Sequence, residues 1–312
     1  MTISGPFNRR RPFPRWRGLR AGLGRAELDG PAFRRVFHGI LVAADVPDSP
    51  RLRAEAALVC FFATAFASHA TGARVWGVPI PPLPGEHVTV PAYGDRLRRA
   101  GITCHVRPGA GHAAVDGVRV STLADLFVEL AEQLTLVDLV VVGDWMVRRR
   151  GVGIGQLVAA AEQASGAAGR LARSAAAFVR QDVDSPMETR LRMLIVLAGF
   201  PEPVVNLTIR DADGEVVRRY DLSWPGAKVI VEYDGRHHVE RVEQWEKDLL
   251  RREEIDQDEW RIVVVVGSGI FKHPEQTVAR VHRVLRERGL PGLPARPRDD
   301  WRPHFPGHQV AG

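Results

Sequence analysis

The stretch Tyr220-Asp221-Leu222-Ser223-Trp224-Pro225-Gly226-Ala227-Lys228-Val229-Ile230-Val231-Glu232-Tyr233-Asp234-Gly235 decides the fold of the C-terminal part of the chain. Two strand-like runs, Tyr220 to Trp224 and Lys228 to Asp234, are joined by Pro-Gly-Ala, a turn sequence. Side chains alternate faces along a strand, so Glu232 and Asp234 share one face. A turn centred on Gly226-Ala227 sets Asp221 directly across from Glu232, with Cβ atoms about 5 Å apart. Three carboxylates at one sheet end repel each other unless a positive charge sits among them. A hard divalent cation with oxygen ligands answers that requirement, so Mg²⁺ (or Mn²⁺) is the expected cofactor and Asp221, Glu232 and Asp234 its expected ligands.

Working outward, Ser185-Pro186-Met187-Glu188 reads as a helix start, with Leu191, Leu194, Ile195 and Ala198 at helical spacing and Gly199 as its end. Strands are expected over Val204 to Arg210 and Val216 to Trp224. After the acidic strand comes a polar helix from Glu240 to Ile255. The uninterrupted apolar run Trp260 to Val266 follows, as in a strand buried on both faces, and a last helix covers Pro274 to Arg288. The order is α-β-β-β-α-β-α, a mixed sheet flanked by helices.

That order, with a helix Glu at Glu188, a strand Asp at Asp221, Glu232-x-Asp234-Gly235-x-x-His238, the helix pair Asp248 and Arg251, and Trp260 opening the last strand, resembles the restriction-endonuclease-like superfamily written PD-(D/E)XK. Within it, the segment from about Ser185 to Gly289 is similar to the very-short-patch-repair endonucleases. The resemblance implies metal-dependent hydrolysis of a DNA phosphodiester. Asp221 and Glu232 would hold the metal, Asp234 would ligate it or orient water, and His238 would act as general acid/base or donor to the phosphate. Glu188 is a metal or water contact in this reading, and Arg251 reaches a phosphate. Two departures stand out: Asp234 occupies the position of the superfamily's Lys, and Glu259 replaces the Gly expected before Trp260. Each residue also has a plainer reading. Glu188 fits a capping box behind Ser185. Asp221 and Glu232 can be a strand-surface acid and a salt-bridge partner, and Arg251 can sit on a solvated helix.

The remaining features set bounds. With 312 residues, 45% hydrophobic and 26% charged, the chain has room for about two globular domains. No apolar run is long enough to span a bilayer, and two cysteines without ligand spacing fit a reducing cytoplasm. The net charge of +6 is unevenly placed: residues 1 to 35 hold nine Arg against Glu27 and Asp29, a balance of +7, leaving −1 for all that follows. Such an N-terminus attracts polyanions.

Residues 1–20 are expected to be a disordered basic tail. Gly24 to Leu28 and Pro31 to Phe37 read as two short helices, and Gly39 to Ala43 as a strand or wing, the order of a winged helix-turn-helix over 21–80. Arg34 and Arg35 fall on its expected recognition helix. Followed by Trp76-Gly77-Val78-Pro79 and His87-Val88-Thr89-Val90-Pro91, this part resembles abortive-infection-type antitoxin proteins, which implies DNA binding and a toxin–antitoxin or defence-system partner. A mixed α/β region then spans 81–182, the endonuclease-like domain 183–290, and a disordered tail 291–312. His69, His87, His105 and His112 lack ligand spacing and receive no role. The expectation overall is an α/β protein (α+β in arrangement), soluble and cytoplasmic, without membrane partners, acting on DNA as an endonuclease. Its rivals are a non-catalytic DNA-binding regulator with a degenerate nuclease domain, and an RNA-directed antitoxin partner.

Overall fold

A computed structural model describes residues 7–210, 213–235 and 260–307, a mixed α/β fold built on three sheets. Two compact units emerge: Met1–Leu134 with Val152–Ala177, and Thr135–Gly151 with Phe178–Gly312. Among the described residues, no helix is long and apolar enough to cross a membrane.

In the first unit, β1 (Phe13–Pro14), β2 (Phe33–Phe37) and β3 (Ile40–Ala43) form a sheet in the order β1-β3-β2. The helix expected over Pro31 to Phe37 is therefore a strand. Phe33, Val36 and Phe37 favour extended backbone, a lone helix that short is marginal, and Gly39 at φ 73 closes a hairpin in which Phe37 faces Ile40. The helices here are Arg15–Arg20 and Arg25–Asp29, one element earlier than expected. Residues 13–20, assigned to a disordered tail, are thus ordered: Phe13 packs with Leu28, Phe33 and Leu41 in a small apolar core. Next in sequence, β4 (Phe66–Ala67), β5 (Glu86–Val90), β6 (Ile102–Val106), β7 (His112–Val115) and β8 (Val118–Ser121) make a five-stranded sheet, ordered β6-β5-β4-β8-β7. The β5–β6 and β4–β8 pairs are parallel.

The second unit carries a four-stranded sheet, β12-β11-β10-β9, from β9 (Val204–Arg210), β10 (Val216–Trp224), β11 (Val229–Asp234) and β12 (Arg261–Val266). β9, β10 and β11 run as an antiparallel meander, while β11 and β12 are parallel. Helix Pro186–Leu197 packs on β10 and β11, and helix Pro274–Glu287 on β11 and β12. The Ser185 Oγ accepts from the Glu188 N–H at 3.2 Å, Pro186 sits in the first turn, and Gly199 at φ 81 follows the last. Helix Leu136–Arg150 belongs to this unit although it precedes the 182–185 boundary read from the sequence. It is tied in by Asp144, whose carboxylate accepts from Arg192 on the helix Pro186–Leu197.

The run Arg261–Val266 is buried on one face only: Val263 and Val265 are covered and Val264 is exposed. The Pro/Arg-rich tail is likewise not structureless over its described part. Trp301 and Phe305 are buried, the Arg298 N–H donates to the Ala198 carbonyl at 2.8 Å, and His282 Nε2 donates to the Pro294 carbonyl at 2.8 Å. Two large aromatic side chains bury enough apolar surface to anchor a segment that shows no periodicity.

Candidate functional site

The acidic strand end is assembled by strand register. β10 and β11 pair as Trp224↔Val229, Ser223↔Ile230 and Leu222↔Val231, so the next step of the same register brings Asp221 opposite Glu232. Along β11, Glu232 and Asp234 lie across from Val264 and Val266 of β12, two residues apart and on one face. The backbone pairing of β10 with β11 ends at Leu222↔Val231. Beyond it the Asp221 Oδ2 accepts from the Tyr233 N–H at 2.9 Å, so a side chain satisfies a donor that the neighbouring strand no longer reaches. On the other side of β10, Asn206 falls between the pairs Val205↔Leu222 and Leu207↔Tyr220, beside Asp221.

Glu188 meets this row through Asn206. Its Oε2 accepts from Asn206 Nδ2 at 3.1 Å and from the Asp184 N–H at 3.0 Å. Asn206 itself is held at φ 50 and donates to the Asp182 carbonyl at 2.6 Å. Only half of the capping box is realised: Ser185 Oγ accepts from the Glu188 N–H, while the Glu188 carboxylate turns to the Asp184 N–H and to Asn206 instead of the Ser185 N–H. Arg219, two residues before Asp221, pairs with Asp184 at 2.6 Å, and Arg148 pairs with the same carboxylate at 2.8 Å. Cationic side chains thus flank the acidic strand end. Trp224 donates its indole N–H to the Pro201 carbonyl at 2.9 Å, and Trp260 packs on Tyr220, so both serve the core. His238 and Arg251 lie outside the described residues, as do His237, Trp245 and Asp248.

Arg34 and Arg35 are placed on β2, not on a recognition helix. The Arg34 guanidinium donates twice to the Val46 carbonyl, at 2.9 and 3.3 Å, which fixes the loop after β3, while Arg35 is exposed.

Three side chains to which the sequence pattern assigns no role come together in the first unit. Among the described residues, the group of three His, Cys, Asp or Glu whose ligand atoms all lie within 4.8 Å of one another is His69, His87 and His105; the strand-end carboxylates do not form such a group. His87 Nδ1 approaches His105 Nε2 at 3.0 Å, and the His69 and His105 rings stack with centroids 3.7 Å apart. The pairs His87↔Thr103 and Thr89↔His105 show how: on parallel strands β5 and β6, His87 and His105 share one face. His69 opens helix His69–Trp76 behind the N-cap position Ser68. Burial, then the neighbouring His69, pushes both His87 and His105 down to about 4, so both are neutral at physiological pH. The only trace of this in the sequence is the alternation His87-x-Thr89 and Thr103-x-His105, which puts each pair on one strand face.

No family model matches the chain. It is similar to two uncharacterised proteins of Mycobacterium tuberculosis, from strains CDC 1551 and H37Rv, each 27% identical over 261 residues that make up 83% of this chain and 94% of the relative. A match of that length extends across both units.

Proposed function

We propose that the second unit is a divalent-metal-dependent phosphodiesterase acting on DNA, with Asp221, Glu232 and Asp234 as its acidic centre. One observation carries this reading. The register of β10 and β11 puts three acidic residues on two neighbouring strands at one end of a mixed sheet, and their carboxylates supply oxygen donors. Oxygen donors fit a hard cation such as Mg²⁺ or Mn²⁺. Bound there, the ion would polarise the phosphoryl oxygens and lower the pKa of an attacking water. Asp221 and Glu232 would hold it, and Asp234 would ligate it or orient the water. Glu188, held by Asn206 and the Asp184 N–H, would add a metal or water contact, and His238 would move the proton. Water adds to phosphorus, the P–O bond to the leaving oxygen breaks, and that oxygen leaves protonated. The Arg-rich start of the chain supplies electrostatic attraction to the polyanion. Two free cysteines suit a cytoplasmic setting.

The test is incubation of the full chain with Mg²⁺ or Mn²⁺ and supercoiled, nicked, mismatched and single-stranded DNA, with RNA in parallel, beside Asp221→Ala. Cleavage by the wild type that disappears in the variant supports the hydrolase. Intact substrates throughout, or activity that survives Asp221→Ala, refute it. A second reading, a DNA-binding regulator with a nuclease-type scaffold, draws on the hydrogen bonds already held by Glu188 and Asp221. Calorimetry separates the two. Mn²⁺ binding that Glu232→Gln abolishes favours the enzyme, while DNA binding without any Mn²⁺ uptake favours the regulator.

A further inference from the structure

We propose that His69, His87 and His105 form a second metal centre, in the first unit, which takes a nitrogen-preferring transition-metal cation, Zn²⁺ foremost, beside the carboxylate of Glu132. This site is chemically unlike the acidic strand end and stands independently of the nuclease reading. Its donors are imidazoles, which suit Zn²⁺ and its first-row neighbours, whereas Mg²⁺ prefers oxygen.

The geometry supports ligation in several ways. Ser68 Oγ lies 3.1 Å from His69 Nδ1 and takes up that side of the ring, which directs the other nitrogen inward. That other nitrogen, His69 Nε2, is buried and has no hydrogen-bond partner. Glu132 Oε2 approaches it at 3.4 Å, without hydrogen-bond geometry. Holding one ring nitrogen so that the second is free to ligate is what outer partners do in metal sites. His87 has Gln133 Nε2 at 3.1 Å on its Nε2 and a further partner in the Pro84 carbonyl, while its Nδ1 faces His105. The 3.0 Å approach between these two nitrogens is short for ligands at about 2.0–2.1 Å from one ion, and opens by a few tenths of an ångström on binding. The proton on that contact moves to the far nitrogen of its own ring as the ion takes its place, so both rings ligate as neutral imidazoles.

Two further observations point to a ligand. His69 sits at φ 48, a region that non-glycine residues avoid and that functional positions tolerate. Next to the rings is a cavity of about 540 Å³, lined among others by His69, Thr89, Arg96, His105, Arg107 and Glu132. Thr89, whose buried Oγ has no hydrogen-bond partner, is one of its lining residues. Three protein nitrogens with a cavity on the remaining side match a centre that keeps one position for water or a small anionic ligand.

The experiment uses the full-length chain, stripped with chelator and then titrated with Zn²⁺ by calorimetry and by competition with a chromogenic chelator. Metal content after dialysis is measured in parallel. The expected result is one Zn²⁺ per chain, not displaced by excess Mg²⁺. His105→Ala should weaken binding by more than about 100-fold, since even outer partners of a ligating histidine are worth about 10–100-fold. Asp221→Ala and His112→Ala should leave it unchanged. Should His105→Ala not fold, Co²⁺-loaded wild type gives the answer, because paramagnetically shifted imidazole N–H resonances from three histidines are expected. No uptake by the wild type, uptake that survives His105→Ala, uptake lost in Asp221→Ala, or a Co²⁺ complex without shifted histidine signals overturns the site.

Discussion

Removing Asp144 should destabilise the second unit more than removing its cationic partner, and the two losses should respond differently to pH. Asp144 and Arg192 are almost wholly buried, with Arg192 Nη2 bonded to Asp144 Oδ2 at 2.9 Å. The same carboxylate also accepts from the Arg180 N–H at 2.7 Å and the Thr189 hydroxyl at 2.9 Å. Asp144→Ala therefore strands three donors, one of them on a guanidinium that cannot shed its charge. Breaking a buried pair in this way costs about 3–5 kcal/mol. The bonds from Arg192 to Glu202 at 3.2 Å and to the Phe178 carbonyl at 2.8 Å keep the loss from the upper end of that range.

Arg192→Met leaves Asp144 with two donors and a way out, since a carboxyl can take up a proton. Burial already holds the Asp144 carboxyl above its ordinary value, and the guanidinium pulls it back down. Without Arg192 it rises further, and the loss at pH 7 should be about 1–3 kcal/mol. A folded-state pKa above the unfolded value means stability that is fully present below the unfolded value and is lost as pH rises through the folded one. The Arg192→Met deficit should therefore shrink between pH 7 and pH 4, while Asp144→Ala lacks the carboxyl that lets the wild type gain on acidification, so its deficit should not shrink. Urea unfolding followed by tryptophan fluorescence suits the measurement, because five of the seven tryptophans lie in this unit. An Asp144→Ala loss below about 1 kcal/mol, or an Arg192→Met deficit that grows on acidification, would refute the reasoning.

Three further outcomes follow from places where the structure departs from the sequence pattern. Trp301→Ala, in a tail without periodicity, should cost about 3–5 kcal/mol in the same urea assay, and a near-neutral result would mean that the tail is not anchored. Arg34→Ala should destabilise the first unit by about 1–3 kcal/mol in thermal melts, because a carbonyl bonded twice loses both donors. Arg35→Ala, exposed on the same strand, should stay within about 0.5 kcal/mol of wild type, and any role it has on DNA should show only as a smaller salt slope.

The second unit was legible largely because its signals are local. Ser185-Pro186 and Gly199 bracket a helix, and alternation along Lys228 to Asp234 fixes which side chains share a face. The length of the Pro-Gly-Ala turn sets the register between β10 and β11, so the pairing of Leu222 with Val231, one step short of Asp221 and Glu232, could be read before any coordinates. Misreadings arose where local preference was weak or decided elsewhere. Pro31 to Phe37 holds both helix-compatible arginines and strand-forming aromatics, and only pairing with Ile40–Ala43 settles it. Helix Leu136–Arg150 looks like part of the first half of the chain until Asp144 and Arg192 are seen to meet.

Sequence by itself determined the helix opened by Ser185-Pro186, the four strands of the second unit's sheet and the helix Pro274–Glu287, while the polar helix expected from Glu240 to Ile255 lies outside the described residues; turn length and period-two alternation act over a few residues. Tertiary structure alone decided that His69, His87 and His105 meet. They lie eighteen residues apart on a helix start and two parallel strands, and parallel pairing takes its register from crossovers and packing, not from the neighbouring sequence. It likewise decided that an aperiodic tail is held down by Trp301 and Phe305, because burial depends on what lies opposite a side chain, which no local pattern encodes.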